Sequence, residues 1–199
     1  MKIRNGFVSN SSSSSFLVAF PRKPKNINDV KEILFSPGQN DYPNPFVYGM
    51  DDKDTFWPVD QVAQIVWADI EEQDGETTDE QMLDCIRDGW FDGYEELPGH
   101  VDVYRGDKRD EKYKEMEREA LENGGYTTDK GRELYEKCWK AREEESDKRA
   151  KAILERFKEK NPDAVFYTFE YSDNDSSLFA AMEHGTLFRR VYHIKVSRH

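Results

Sequence analysis

Asp173-Asn174-Asp175-Ser176-Ser177, with Glu183, His184 and His193 close behind, is the part of this chain whose residue types and spacing best suit chemistry. The carboxylates of Asp173 and Asp175 can offer hard oxygens to Mg²⁺ or Ca²⁺, and the imidazole of His184 or His193 can serve as a general base near neutral pH. That constellation describes a metal-dependent hydrolase or a phosphate-handling enzyme. As a calcium loop starting at Asp173 the match is poor, because Leu178 stands where the loop needs glycine and His184 where it needs an acid. A purely structural account uses the same residues: Asp175 or Ser176 caps a short helix, and His184-Gly185 ends it while favouring its dipole. His193 in an alternating strand then reads as a surface or half-buried residue. No serine sits in a G-x-S-x-G elbow. Cys85 and Cys138 lie in helical segments without C-x-x-C or paired histidines, which predicts free thiols and no zinc.

A second feature points elsewhere. Between Asp41 and Asp102 eighteen acidic side chains face only Lys53 and Arg87, a formal charge of −16, whereas the whole chain carries −12. Aromatic residues are interleaved with these acids. Asp51, Asp52 and Asp54 precede Phe56-Trp57, and Trp90, Phe91 and Tyr94 stand beside Asp88, Asp92, Glu95 and Glu96. Aromatic anchors supply most of an interface's energy, while a charged rim steers a partner of opposite sign. The leading expectation is therefore a non-enzymatic interaction protein, with no catalytic residue and no cofactor assigned. Trp57, Trp90 and Phe91 would anchor it on a basic protein surface, with Asp51, Asp52, Asp54, Glu95 and Glu96 as the rim. Direct nucleic-acid binding is disfavoured, because the basic groups outside the balanced segment 107–160 are the small clusters Arg22-Lys23-Lys25 and Arg189-Arg190 and scattered single charges. The competing explanation is an acidic exterior that only aids solubility.

The most unusual string is Gly6-Phe7-Val8-Ser9-Asn10, then Ser11 to Ser15, then Phe16, in which consecutive hydroxyls are held between apolar residues. Successive Ser and Asn residues can turn backbone N–H groups inward as an anion nest, and Arg4, Ser11, Ser12 and Ser13 are the phosphate-binding candidates. The run has no internal glycine and no lysine ending of the P-loop kind, so a structural or flexible loop is the simpler expectation. From Arg4 to Phe16 the opening resembles the N-terminus shared by a set of uncharacterised phage and bacterial proteins. The resemblance implies no activity, but it does imply a phage origin, and with it a basic partner belonging to the host.

These residues need elements to position them. Phe16-Leu17-Val18-Ala19-Phe20, stopped by Pro21, predicts a buried strand. Asn28 is expected to cap a helix carrying Val30, Ile33 and Leu34. Pro43, Pro45 and Pro58 then mark an irregular aromatic loop. Val59, Val62, Ile65, Val66 and Ile70 recur at helical spacing, and Thr78 with Gln81 forms a capping box for a second helix bearing Met82, Leu83 and Ile86. Asp92-Gly93-Tyr94 reads as a turn and Val101 to Tyr104 as a short strand. Residues 107–122 and 129–160 predict a helical hairpin joined at Asn123-Gly124-Gly125, in which Arg142 and Ser146 interrupt the apolar stripe and leave the middle of the long helix solvated. Its sixteen basic and sixteen acidic residues balance. Beyond Pro162 the period becomes two: Val165, Tyr167, Phe169 and Tyr171 share one strand face, and Tyr192, Ile194 and Val196 share another, with a helix around Leu178 to Glu183 between them.

The expected fold is α+β, a small sheet made from the N-terminal strand and a C-terminal strand-helix-strand unit, with helices inserted between. The organisation is one domain over 1–199, comprising 1–40, 41–106, 107–160 and 161–199. Twenty-six aromatic residues argue against disorder. No apolar run reaches the ~18 residues of a membrane span and the N-terminus lacks an apolar signal core, so no membrane association and a cytoplasmic location, the host's if phage-encoded, are the expectations.

Overall fold

The computed structural model describes residues 13–45, 56–73, 77–87, 91–97, 100–105, 111–173 and 175–197, with 91–105 described by backbone alone. In chain order the elements are β1 (Ser13–Phe20), α1 (Ile27–Leu34), β2 (Asp41–Pro43), β3 (Phe56–Pro58), α2 (Val59–Glu72), α3 (Asp79–Arg87) and β4 (Phe91–Leu97). Then follow β5 (His100–Arg105), α4 (Glu111–Glu122), a 3-10 turn at Gly125–Thr127, α5 (Asp129–Lys160), β6 (Val165–Ser172), α6 (Ser177–His184) and β7 (Tyr192–Ser197). The architecture is α+β.

β1 is buried at every residue, as a strand must be that has neighbours on both edges and helices on both faces. It pairs antiparallel with β6, Phe16 opposite Phe169, and with β7, Leu17 opposite Ile194. β7 runs parallel to β5, which pairs with β4, so the sheet order is β4-β5-β7-β1-β6. Both ends of the chain thus build the sheet, as the periodicity predicts. The β4–β5 hairpin extends it. Asp92-Gly93-Tyr94, expected as a turn, is instead part of β4, where the register shifts between Phe91 and Gly93. A bulge lets a glycine sit inside a strand by locally breaking the ladder. The proline-rich segment likewise contributes a short ladder, β2 with β3, in place of a wholly irregular loop.

Alternation along β1 divides the core in two. Phe16, Val18 and Phe20 face Tyr167, Phe169 and Tyr171 and the helices α1, α2 and α6, whereas Leu17 and Ala19 face Ile194, Val196, α3 and α5. α1 buries Val30, Ile33 and Leu34. Its cap is Asn26, whose side chain accepts from the Asp29 N–H at 3.1 Å, and not the expected Asn28. α2 buries Val59, Val62, Val66 and Ile70, and α3 starts on the expected box, Thr78 N–H donating to Gln81 Oε1 at 2.8 Å.

Between α2 and α3 the chain passes around the open edge of β6. Gln73 Nε2 donates to the Thr168 carbonyl at 2.9 Å and the Thr168 N–H donates to Gln73 Oε1 at 3.1 Å, so one side chain supplies bonds that a further strand would make. The Thr77 N–H adds another, to the Phe166 carbonyl. This covers an edge that would otherwise template pairing with other chains, and it carries α3 to the opposite face from α2.

The 32 residues of α5 span about 48 Å at 1.5 Å per residue. Its C-terminal half lays Ala150, Leu154 and Phe157 on the sheet, and its N-terminal half pairs with α4. The middle, residues 139–149, holds no buried residue, as expected, but Arg142 there is largely covered. Arg142 pairs with Glu117 at 2.9 Å and lies over the rings of Tyr113 and Trp139, because a guanidinium can pack its flat face on aromatics while its edge stays charged. Trp139 is itself 55% exposed. At the tip Gly131 lets two backbones touch, since an added Cβ would lie 2.0 Å from the Gly125 carbonyl oxygen.

Candidate functional site

The N-terminal end of β1 is polar: Ser13, Ser14 and Ser15 continue the strand and are buried. Ser14 stands opposite Tyr171 on β6 and Ser197 on β7, with its side chain on the α6 side of the sheet. β6 ends at Ser172 and the chain turns, the Asp175 N–H donating to the Ser172 carbonyl at 3.2 Å. Ser176 then caps α6 by accepting from the Phe179 N–H at 3.2 Å, as one of the two expected caps. α6 docks through Leu178, Ala181 and Met182, and this carries its neighbour Glu183 inside.

Glu183 has no exposed surface. Burying a carboxylate costs several kcal/mol unless its oxygens find donors. Here Ser14 Oγ donates to Oε1 at 3.1 Å, the Asp173 N–H donates to Oε2 at 2.9 Å, and His184 Nε2 lies 3.5 Å from Oε2. Lys195 Nζ donates to the Glu183 backbone carbonyl at 2.7 Å and sits over the Phe16 ring, a cation at the C-terminal end of the helix dipole. Tyr42 Oη donates to the Ala181 carbonyl at 3.0 Å, and burial pushes that phenol's pKa up. The turn is tight enough that a Cβ on Gly185 would lie 2.2 Å from Tyr42 Oη, so glycine is needed there for space. One ligand atom each from Asp173, Glu183 and His184 lies within 4.8 Å of the others. Two carboxylate oxygens and an imidazole suit a divalent ion such as Mg²⁺ or Mn²⁺. Asp173 is exposed, which leaves an approach from solvent.

Of the residues singled out by sequence, Asp173 and His184 come together here. Asp175 is exposed and outside the cluster. His193 is buried between the rings of Phe16 and Phe188, its Nδ1 3.1 Å from the Val191 carbonyl, so it belongs to the aromatic core. Glu183 is named in the sequence string, but its role is not read there. An acid next to Met182, following the apolar run Leu178 to Met182 of α6, is the signal for it. Lys195 was also open to reading, because Ile194 and Val196 on one strand face put Lys195 on the other. Ser13 lies within β1; Arg4, Ser11 and Ser12 lie outside the described residues.

The acidic stretch is divided. Trp57 is half-buried and, like Trp67, packs against the aromatic core. Asp51, Asp52, Asp54 and Trp90 lie outside the described residues, as do the side chains of Phe91, Glu95 and Glu96. α2 and α3 lie on opposite faces of the sheet, and basic residues from elsewhere reach their acids, Lys31 pairing with Asp60 and Lys158 with Asp79, while Arg87 of α3 itself pairs with Asp84. Cys85 and Cys138 are buried thiols that form no disulfide. No described helix is long and apolar enough to cross a membrane.

No family model, no curated protein and no solved structure matches this chain.

Proposed function

We propose that Asp173, Glu183 and His184 hold a divalent cation, and that the protein works through that ion as a metal-dependent hydrolase or phosphate-handling enzyme. The observation that supports this is a wholly buried carboxylate with two further ligand groups in reach, contributed from both ends of α6. A bound ion would polarise a phosphoryl oxygen or lower the pKa of a coordinated water. Ser14 and the Asp173 N–H hold the Glu183 carboxylate in place, and Lys195 ties the last turn of α6 to β7. Calorimetric titration with Mn²⁺, Mg²⁺ and Ca²⁺ tests the reading. One ion per chain is expected, with Mn²⁺ tightest because imidazole suits it better than Ca²⁺. Asp173→Asn and His184→Ala should each weaken it about tenfold or more, the loss of about 1.4 kcal/mol per ligand, while Asp175→Asn leaves it unchanged. No heat with any of the three ions would overturn the assignment.

A second reading keeps the acidic stretch as a docking surface for a basic protein, a host protein if the Arg4–Phe16 resemblance reflects a phage origin. Favouring it, Asp60, Glu71 and Glu72 of α2 are exposed on one face and Asp79, Glu80 and Asp84 of α3 on the other, and Phe56, in the strand that leads into α2, is an exposed aromatic.

A further inference from the structure

The side of α5 that lies on the sheet continues past the sheet. Five helical turns take about eighteen residues, so Tyr135 points the same way as Ile153 and Trp139 the same way as Phe157. Phe157 is buried with its ring 5.7 Å from that of Phe166 on β6, and Ile153 packs against the same cluster. Trp139, by contrast, is more than half exposed, as are Leu121 in the last turn of α4 and Tyr126 in the 3-10 turn. These side chains are held together. Tyr126 stacks on Tyr135 with ring centroids 4.3 Å apart and 4° between the planes, and a Cβ on Gly125 would touch both Leu121 and Tyr135. Arg142 lies over the Trp139 ring while paired with Glu117. Aromatic groups already fixed at a surface lose little freedom on docking, and Trp, Tyr and Arg are the residue types that dominate interface energies.

We propose that this patch is a dimer interface, covered by the same patch of a second copy of the chain running antiparallel to the first. Charge selects that occupant. The chain carries −12 in all, yet residues 107–160 hold sixteen basic and sixteen acidic side chains, so the hairpin is where two like-charged copies approach without net repulsion. The pattern within α5 fits a two-fold axis level with Lys137, which sets Tyr135 of each copy on Trp139 of the other. Arg132, five residues before that level, then lies beside Glu143 of the other copy, six residues after it, and Glu136 lies near Lys140. All four are exposed, and helical spacing puts them on the same side of the aromatic stripe. Arg132 pairs with Asp129 in its own chain, and its five donors leave room for a second carboxylate. A parallel pair would place the two sets of charges on opposite flanks of the seam, where they do not meet. This assignment does not rest on the cation centre, which is built around α6.

Sedimentation equilibrium of the full chain tests the proposal, and a monomer–dimer equilibrium is expected. Trp139→Asp, a change at an exposed position, should weaken dimerisation about tenfold or more while the circular dichroism stays that of the unaltered protein. Arg132→Glu and Glu143→Arg should each weaken it as well, because each sets like charges against one another across the seam. The combined swap should bring the affinity back towards that of the unaltered chain. The two residues lie about 16 Å apart along one helix, too far to pair within a copy, so such a rescue reports contact between copies. A monomer at the highest soluble concentration would overturn the proposal and leave the patch to a different protein. A dimer indifferent to Trp139→Asp, or a swap no tighter than the weaker single variant, would overturn it too.

Discussion

The two faces of the sheet are built differently. On the α1, α2 and α6 side twenty-two buried residues form one cluster, among the described residues, and its centre is a stack of Phe16, Phe169, Tyr171 and Phe188 with ring centroids 5.0 to 6.5 Å apart. On the α3 and α5 side the cluster holds ten, mostly aliphatic residues and a cysteine. Large rings fill space between sheet and helices that smaller side chains do not, and the cleft between α3 and the β1–β6 ladder lies on the face with the smaller cluster. The polar groups follow the same division. The aromatic face can bury a carboxylate because Ser14, Asp173 and His184 surround it, whereas the carboxylates of the open face remain at a rim.

Truncating one side chain on each face is the sharpest way to break this contrast. Phe169→Ala should cost about 4 kcal/mol, since it removes a ring packed against Phe20, Tyr171 and Phe188, and Leu154→Ala about 3 kcal/mol, both read from urea unfolding. The reverse order would mean that the thinner face governs stability. Gly185→Ala comes next, at about 2 kcal/mol, because its Cβ must displace Tyr42 Oη and the Ala181 carbonyl from under α6. If the variant melts with the unaltered protein, the close approach on the aromatic face is not a constraint.

The smallest effect lies beyond the open face, in the α4–α5 hairpin. Tyr113 Oη donates to Glu145 Oε2 at 2.5 Å, and that bond, assisted by Arg149, holds the Glu145 carboxyl below its usual pKa. A pKa depressed by folding contributes stability above the unfolded carboxyl value, near 4.3, which is lost as pH falls through the folded value. Acidification should therefore loosen the hairpin slightly, and Tyr113→Phe should flatten that dependence. An unchanged acid transition in the variant would assign the sensitivity to another carboxylate.

Much of the fold was legible before any coordinates. The Phe16–Phe20 run, the α2 stripe from Val59 to Ile70, the Thr78–Gln81 box and the alternation of Tyr167, Phe169 and Tyr171 each rest on spacing between chain neighbours, and each stands in the structure. Asp92-Gly93-Tyr94 was misread because a glycine in a bulged strand carries the same local signal as one in a turn. In the middle of α5 only Arg142 departs from the solvated expectation, because it counts as polar by type yet packs by shape. At the candidate site Asp173 and His184 could be named from type and proximity. The burial of Glu183 could not, since it depends on where Ser14, far off in sequence, comes to lie.

Short-range periodicity thus determined, from the chain alone, the helices and the strands β1, β6 and β7 and which of their sides is apolar, but not β2, β3 or β4. It also determined that negative charge is concentrated between Asp41 and Asp102. Only the tertiary structure decided which charges share a surface. The path around the β6 edge at Gln73 sends α2 and α3 to opposite faces, and the long-range pairing of β1 with β6 and β7 brings a serine from the start of the chain onto a glutamate near its end. Electrostatic and ligand-binding properties depend on distance through space, and no spacing rule within the chain carries that information.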